Sequence, residues 1–337
     1  MRPPEADTWV RPYKDVLLTA TWYQESVFMP ESLLKSGGRA LLRRYLSKFP
    51  LRDGKVWLYE HLHPYLLPSA RLVTAALDPG FGVFRMRLDL GDAEQRKIYF
   101  FGHYHERYEA ALVARVLEPG EVFWDVGANI GYFSLVAAAA VGERGEVAAF
   151  EPGAAALARL QENVSLNPDR KIRIFNLAAA DAYGEAVLYR REGIADSSAS
   201  LYTGAAGAAG GETCTTVALD RFLKKEGLRP PDLIKLDVEG AELAALQGAA
   251  AILADFRPLL LVEMEEKNLQ AAGASKAAIQ AFLRDYGYRA AHLRKGRWRL
   301  LDDVHHTRGR NLFWFNPDIP QHREKAGLVG ITLCSNL

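Results

Sequence analysis

The sequence is short of cysteine, of long hydrophobic runs and of any excess of charge of one sign. Its 337 residues include two cysteines, Cys214 and Cys334, which lie too far apart to indicate a disulfide framework or the paired spacing of a zinc site. The 42 basic and 41 acidic residues give a formal net charge of +1, so no overall field attracts nucleic acid or an anionic membrane. We therefore expect a reducing compartment and no nucleic-acid partner.

The hydrophobic segments are too short to cross a bilayer. The longest apolar runs, Phe133–Val141 and Pro258–Val262, fall far below the roughly 20 residues that a membrane helix needs. The opening segment, MRPPEADTWV, has prolines and acids where a signal peptide needs a basic start and an apolar core. With 49% hydrophobic and 25% charged residues, the composition is that of an ordinary globular protein. We expect a cytoplasmic protein with no membrane span.

The N-terminal third of the chain carries weak signals. Residues 1–80 predict a mainly helical extension, with Glu31–Phe49 as its clearest helix. Period-two alternation over Phe84–Leu90 predicts a half-buried strand, and Lys97–Phe101 predicts the returning strand of a hairpin. Glu106–Leu117 has helical spacing and leads into the rest of the chain.

From Glu121 onward, short apolar strands alternate with helical segments. This alternation predicts an α/β fold in which helices cover both faces of a parallel sheet. The strands are predicted at Val122–Asp125, Val147–Glu151, Ile172–Leu177, Leu233–Asp237, Leu259–Glu263 and Leu312–Phe315. The predicted bounds are 1–80 for the extension, 81–317 for the α/β domain (hairpin lead-in 81–105, core 118–317) and 318–337 for a tail.

One stretch interrupts this alternation. Ser197–Thr213 is rich in glycine, alanine and serine, and it lies between two further predicted strands, Ala186–Tyr189 and Thr215–Leu219. Two interpretations stay open for this stretch, which are a lid over an active site and an inert surface loop.

The strongest local signal is the segment VFWDVGANIGYFSL at residues 122–135, where a predicted strand enters a glycine-rich turn that opens a helix. Gly127 and Gly131 permit a sharp turn and the close approach of a ligand. The dinucleotide pattern G-x-G-x-x-G lacks its middle glycine here, which argues against a nicotinamide cofactor. Asp125, at the tip of the strand, suits a cationic ammonium group better than a pyrophosphate.

Glu151 ends the next predicted strand, about 20 residues after Gly131, where an acid commonly accepts hydrogen bonds from ribose hydroxyls. The alternative is a carboxylate that stabilises a helix N-terminus. Taken with the glycine turn, Glu151 indicates a ligand that joins an adenosine to an amino acid.

A third segment, DLIKLDVEGAEL at residues 232–243, places charges within and after a predicted buried strand. Lys235 and Asp237 share one face of the strand, where charges are costly unless they are paired or functional. Asp237 ends the strand at the edge where open α/β sheets bind ligands. Glu239 and Glu242 follow in the next turn, and stabilisation of a helix N-terminus is the alternative for both.

Glu263 ends the following strand, in LLLVEMEE, at the same edge of the sheet. We expect Asp237, Glu239, Glu263 and Glu265 to converge there as a general base, a hydroxyl-binding group or a hard-cation site. Coordination requires geometry that a sequence does not supply, and we assign no metal.

The segments DVGANIG, FEP and IKLDVEGAEL, in this order and spacing, resemble the FkbM family of S-adenosylmethionine-dependent methyltransferases. YFFGHYHERYEAALVARVLEPGEVF also resembles the lead-in to that domain, with Glu109 at the position of a recurrent acid. The resemblance covers about Lys97–Pro317 and leaves the first 80 residues unexplained. It implies a class I methyltransferase, whose Rossmann-like sheet has seven strands with the last one antiparallel. It also implies S-adenosyl-L-methionine as the cofactor and O-methylation of glycan or natural-product hydroxyls.

The resemblance implies roles for individual residues. Glu151 matches the ribose-binding acid, and Asp237 matches the acid near the reactive sulfonium. Ala180 and Asp181 match the position that contacts adenine. The motif that holds the methionine part of the cofactor corresponds to Asp125, Gly127, Asn129 and Gly131.

One departure from the family concerns the base. Members often have a histidine shortly after the fifth-strand acid, where this chain has Glu263-Met264-Glu265. His103 and His105 are substitute candidates, although a lone histidine is more often structural.

We therefore expect an O-methyltransferase that acts on a hydroxyl of a small-molecule or glycan acceptor. Asp237 is the first candidate for the base, followed by Glu239 or Glu263, and Lys235 is expected to orient an acid or lower its pKa. The alternatives are a protein that binds S-adenosylmethionine without catalysis and a nicotinamide-dependent oxidoreductase.

Overall fold

The computed structural model describes residues 31–48, 54–191, 199–201, 208–305, 307 and 309–332. The helices are α1 (Glu31–Lys48), α2 (Lys55–Leu66), α3 (Ala93–Phe101), α4 (Arg107–Val116), α5 (Tyr132–Val141), α6 (Ala154–Ser165), α7 (Leu219–Glu226), α8 (Glu242–Gln247), α9 (Ala250–Asp255), α10 (Glu266–Ala271), α11 (Lys276–Asp285) and α12 (Pro320–Leu328). The strands are β1 (Leu72–Leu77), β2 (Phe84–Asp89), β3 (Val122–Val126), β4 (Glu146–Phe150), β5 (Ile172–Phe175), β6 (Ala178–Ala179), β7 (Gly184–Arg191), β8 (Ala199–Ser200), β9 (Ala208–Val217), β10 (Leu233–Leu236), β11 (Leu259–Glu263), β12 (Arg289–Arg294), β13 (Arg297–Leu301) and β14 (Asn311–Phe315).

An eight-stranded sheet lies at the centre of the fold, in the order β13-β12-β14-β11-β10-β3-β4-β5. Strands β5, β4, β3, β10 and β11 are parallel, whereas β14 is antiparallel to both of its neighbours. Every residue of β3, β10, β11 and β14 is buried, as expected for strands that helices cover on both faces. The predicted α/β fold is confirmed, and β13 adds an eighth strand to the seven that the family resemblance implies.

Successive residues of the central strands pack in different hydrophobic cores, because neighbouring side chains on a strand point to opposite faces. Phe123 and Phe313 pack in the core that also contains apolar residues of α4, α5 and α12. Trp124 and Trp314 pack in the core on the other face, with apolar residues of α7, α8, α9 and α11. The sheet is thereby held between two helical layers, and its strand ends remain available for a site.

The hairpin predicted before the core exists, but the strand that pairs with Phe84–Asp89 is not the predicted one. Strand β2 pairs with β1, which precedes it, and the predicted returning segment Lys97–Phe101 lies in helix α3. The physical reason is a helix cap, because the Asp92 side chain accepts a hydrogen bond from the Gln95 amide at 2.8 Å. The domain boundary predicted near residue 80 lies in the turn of the β1–β2 hairpin, and the other predicted bounds stay a prediction.

A smaller sheet, in the order β6-β9-β7-β8, follows β5. It contains part of the stretch predicted as a loop, because β8 and β9 take up Ala199–Ser200 and residues 208–213. Residues 197–198 and 202–207 lie outside the described residues, so neither interpretation of that loop is tested. Cys214 is buried in β9, and Cys334 lies outside the described part of the chain. No helix in the described ranges is long and apolar enough to cross a bilayer.

Candidate active site

The strand order reverses between β3 and β10, and a cleft of about 400 Å³ opens at the carboxyl ends of these strands. Such a reversal leaves a crevice, because the connections from the two central strands run in opposite directions. The cleft is lined by parts of the glycine-rich turn, by the ends of β4, β10 and β11, and by residues around α3. The site residues predicted from sequence that line it are Gly127, Asn129, Glu151, Lys235, Asp237, Glu239 and Glu263.

The glycine-rich turn follows β3 directly. Gly127 (φ +85°) and Gly131 (φ +88°) have left-handed backbone, which glycine adopts without steric cost. A Cβ at Gly127 would overlap the main-chain oxygen of Asp237, and a Cβ at Gly131 would lie 2.6 Å from a methyl group of Leu160. Both glycines are therefore required for close packing within the protein, in addition to any role toward a ligand.

Replacing Gly127 with alanine is expected to lower the free energy of unfolding by about 2–5 kcal/mol, from left-handed backbone strain and overpacking combined. Gly227→Ala is the matched control, because Gly227 is also left-handed (φ +58°) but has no atom within 4 Å of an added Cβ. Its expected loss is about 1–2 kcal/mol. Urea denaturation measures both, and equal losses would contradict the overlap with Asp237.

Glu151, at the end of β4, is tied to this turn by its carboxylate. One oxygen accepts the amide N–H of Asn129 at 2.8 Å, and the other accepts that of Gly153 at 2.8 Å. Asn129 itself has left-handed backbone (φ +50°), which aims its amide at the carboxylate. Burial raises the pKa of Glu151 to about 7, although both amides favour the ionised form. A carboxylate with about four acceptor positions retains capacity for ligand hydroxyls.

Four predicted cofactor residues do not line the cleft, and Gly131 is one of them. Asp125 is fully buried behind it, where it accepts the Ser134 hydroxyl at 2.5 Å. Its other carboxylate oxygen is buried without a hydrogen bond, and burial raises the pKa of this group. Ala180 and Asp181 also lie outside the wall, which is formed by the preceding residues 177–179. Their roles in binding a cofactor stay predictions.

Lys235 is a buried cation between two acids. It is opposite Asp125 in the register of β10 and β3, its Nζ donates to Asp237 at 2.7 Å, and it lies 4.7 Å from the centre of the Phe133 ring. Burial opposes its charge, but the negative charges of Asp237 and Asp125 outweigh burial and raise its pKa. The prediction that Lys235 and Asp237 share a face of the strand is confirmed, and their charges are paired.

Asp237 and Glu263 form a hydrogen-bonded carboxyl pair at the ends of β10 and β11. Burial opposes ionisation of Asp237, but Lys235 and the bond from Glu263 hold its pKa below the ordinary value. Burial and the charge of Asp237 raise the pKa of Glu263 well above its ordinary value. These shifts favour a negative charge on Asp237 and a proton on Glu263.

Glu239 and Arg310 complete this group. A carboxylate oxygen of Glu239 lies within 4.8 Å of those of Asp237 and Glu263, and Glu239 accepts the Asn268 side-chain amide at 2.5 Å. Arg310 contacts Glu263 at 2.6 Å and Glu265 at 3.0 Å. The predicted convergence of acids at this edge of the sheet is therefore observed, with two cations, Lys235 and Arg310, among them.

Glu242, next to this group of acids, holds the turn after β10 together. Its carboxylate accepts the amides of Val238 at 3.2 Å and Gly240 at 3.1 Å, and it closes the turn after β10. Burial raises the pKa of Glu242 to about 7. Glu242 is also the first residue of α8, where its charge fits the alternative of a carboxylate that stabilises a helix N-terminus.

The two histidines differ in position. His105 lines the cleft with Nδ1 at 3.1 Å from Glu94, whereas His103 lies outside it and contacts the Tyr104 carbonyl at 2.8 Å. Burial lowers the pKa of both. Sequence reasoning overlooked Glu106, the neighbour of His105, which also lines the cleft. Its position within HYHERYE, three residues before Glu109, was the only available signal.

The comparison with protein-family models matches residues 125–290 to the Methyltransferase FkbM domain. The matched range contains the glycine-rich turn, Glu151 and the acids after β10 and β11. It begins after the lead-in that contains Glu106 and ends before β14.

Two curated proteins share sequence with the chain. One is the AMB antimetabolite synthetase AmbE of Pseudomonas aeruginosa, 30% identical over 208 residues, which are 51% of this chain and 10% of that protein. The other is the hexuronic acid methyltransferase AglP of Haloferax volcanii, 28% identical over 137 residues, which are 41% of this chain and 53% of AglP. The chain thus matches a tenth of one relative and about half of the other.

Among solved structures, the chain aligns with a crystal structure of methyltransferase FkbM from Methylobacillus flagellatus. The identity is 16% and the TM-score 0.39, over 66% of this chain and 54% of that one.

Proposed function

We propose that this chain, whose residues 125–290 belong to the FkbM family of methyltransferases, transfers a methyl group from S-adenosylmethionine to an acceptor hydroxyl. We place the acceptor among sugars, glycans and natural products of small size. The observation that carries the proposal is the presence, in one cleft, of the Glu151 carboxylate and the acids at the ends of β10 and β11. The curated relative described as a hexuronic acid methyltransferase supports a sugar acceptor.

The residues of the cleft fit this cofactor. Glu151 has acceptor positions left for two ribose hydroxyls after its bonds to Asn129 and Gly153. The wall beside it is apolar, as a purine ring requires, and it is formed by Pro152, Leu177, Ala178, Ala179, Leu188 and Leu201. When bound, S-adenosylmethionine supplies a methyl group on a positively charged sulfur.

The carboxyl group of Asp237 binds and orients the acceptor hydroxyl in this proposal. Lys235 keeps Asp237 ionised at neutral pH, and Glu263 donates its proton to the same carboxylate. A fixed carboxylate holds the acceptor oxygen in one direction, and such alignment contributes roughly 7–11 kcal/mol in well-oriented reactions. Glu239 offers a further acceptor for hydroxyls. Because Lys235 lowers the basicity of Asp237, Asp237 is better suited to orientation than to taking the proton.

We propose that the acidic group works without a divalent ion. Lys235 pairs with Asp237 and Arg310 with Glu263, and the raised pKa of Glu263 favours its protonated form. These cations already supply positive charge to acids that a metal ion would otherwise stabilise.

Calorimetric titration of S-adenosylmethionine and, separately, of NADH tests the cofactor. We expect micromolar binding of the methyl donor and none of NADH. Release of S-adenosylhomocysteine is then followed with D-glucuronate and methyl β-D-glucoside as probe acceptors, with and without EDTA. Turnover that EDTA leaves unchanged supports the proposal. Turnover that EDTA abolishes contradicts the proposal that the acidic group works without a divalent ion. Binding without turnover on these and further hydroxylated acceptors favours the non-catalytic alternative, and NADH binding favours the oxidoreductase.

A further inference from the structure

Glu106 is an acid of the cleft that comes from outside the matched family domain. It immediately precedes α4, and its side chain is 13% exposed. Its Oε1 accepts the side-chain amide of Asn311 at 2.6 Å, across 205 residues of sequence. Asn311 begins β14 and is opposite Glu263 in the register of β11 and β14. The bond therefore fixes Glu106 at the sheet edge where the acids converge.

Charged groups from several elements surround Glu106. Asp237 and Lys235 approach from β10, Glu109 from α4, and Nε2 of His105 lies 4.0 Å from Oε1. Burial, followed by the charge of Asp237, raises the pKa of Glu106 to about 7, whereas Lys235 and the Asn311 bond act in the opposite direction. A pKa near neutrality suits a group that accepts a proton, whereas the lowered pKa of Asp237 favours its anion.

We propose that Glu106 is the group that takes the proton from the acceptor hydroxyl, and that Asn311 is its positioning residue. This proposal rests on the function proposed above. As the acceptor O–H bond breaks, its proton passes to a carboxylate oxygen of Glu106, and the acceptor oxygen forms the new O–CH₃ bond. The electron pair of the broken S–CH₃ bond stays on the sulfur, so charge and atoms balance.

Glu106 is more available to accept a proton than the neighbouring acids Glu263 and Asp237. Burial and the charge of Asp237 favour the protonated form of Glu263, and Lys235 stabilises the Asp237 anion. Arg310 also pairs with Glu263, whereas Glu106 has one neutral amide donor on Oε1. A base works best when its proton affinity matches the working pH, because it must be deprotonated and still accept a proton.

Glu106→Gln tests the proposal, since it keeps the shape and the contact with Asn311. We expect kcat to fall by roughly 10²–10⁴-fold, the usual value of general base catalysis, with the Kd of S-adenosylmethionine unchanged. The rise of wild-type kcat with pH through about 7 should disappear. Glu109→Gln is the matched control, because Glu109 lies in the adjoining helix α4 and does not line the cleft. It should keep the kcat plateau.

Asn311→Ala separates positioning from simple folding damage. Loss of a donor to the carboxylate favours the protonated form, so the rise of kcat should move to higher pH while the plateau persists. A uniform loss at all pH values, or no shift, would overturn the role of Asn311.

The pKa of Glu106 can be measured without an acceptor, and therefore independently of the proposed methyl transfer. In protein labelled with ¹³C at glutamate carboxyls, Glu106, Glu151 and Glu242 should each titrate near pH 7, and one of these signals should be absent from Glu106→Gln. Titration of Glu106 at ordinary carboxyl values overturns the proposal, as does Glu106→Gln with wild-type kcat. Absence of turnover in the wild type counts against the proposed function instead.

Discussion

Glu151→Ala is expected to weaken S-adenosylmethionine binding by roughly 10²–10⁴-fold, the equivalent of two charge-assisted hydrogen bonds. In the proposed site, the carboxylate that accepts the Asn129 and Gly153 amides also accepts the two ribose hydroxyls. Alanine removes the ligand bonds and leaves the Asn129 and Gly153 amides without this acceptor. Calorimetric titration measures the loss of affinity, and thermal unfolding in the absence of ligand measures the accompanying loss of stability.

The control for this prediction is Glu212→Ala. Glu212 is another carboxylate near the start of α6, where it accepts the Ala154 amide at 2.8 Å, but it does not line the cleft. Its removal should leave the Kd nearly unchanged. Similar losses in both variants would mean that Glu151 acts only by holding the turn.

The affinity of the wild type should also depend on pH through Glu151. Burial raises the pKa of this group to about 7 in the free protein, and ribose hydroxyls donate to its ionised form. Binding should therefore strengthen as pH rises from about 6 to 8, with the pKa of Glu151 lower in the complex. Glu151→Gln should abolish this dependence, and a dependence that survives the change would assign it to another group.

Lys235→Met is expected to lower the free energy of unfolding by about 3–5 kcal/mol near neutral pH, because it removes the cation beside the buried Asp125 and the partly buried Asp237. Asp125 and Asp237 both favour the charged form of Lys235, and Arg310 also favours the ionised form of Asp237. Methionine has nearly the same length and keeps the contact with Phe133. Urea denaturation measures the change.

The sign of the pH dependence follows from the two pKa shifts. The lowered pKa of Asp237 contributes stability above its unfolded value of 3.8, and this contribution disappears as pH falls through the folded value. The raised pKa of Lys235 contributes stability below its unfolded value of 10.5, and this disappears as pH rises through the folded value. The cost of Lys235→Met should therefore be largest between about pH 5 and 10 and shrink in acid.

Two further variants sharpen the test. Lys48→Met removes an exposed ion pair with Asp78 and should cost no more than about 1 kcal/mol. Lys235→Met/Asp237→Asn removes one of the stranded charges and should recover part of the stability of Lys235→Met. A double variant less stable than the single one would show that Lys235 does not act through Asp237.

Much of the fold and part of the site could be predicted, because both depend on local patterns. Apolar strands that alternate with helices predict a parallel sheet, and polar residues at strand ends predict a site at one edge. Glu151, Asp237 and Glu263 were found in this way, and all three line the cleft. The segment Lys97–Phe101 was assigned to the wrong type of element, because its apolar run fits a strand as well as a helix and the Asp92 cap decided between them.

The sequence by itself determined the α/β architecture, the glycine turn and the edge at which the acids gather, since each follows from residues close together in the chain. Only the tertiary structure decided which acids are ionised and which face the cleft. Asn311 reaches Glu106 across 205 residues, and Lys235 lies opposite Asp125 only because β10 lies beside β3. Burial and the distances between charges set each pKa, and both depend on how the strands and helices pack.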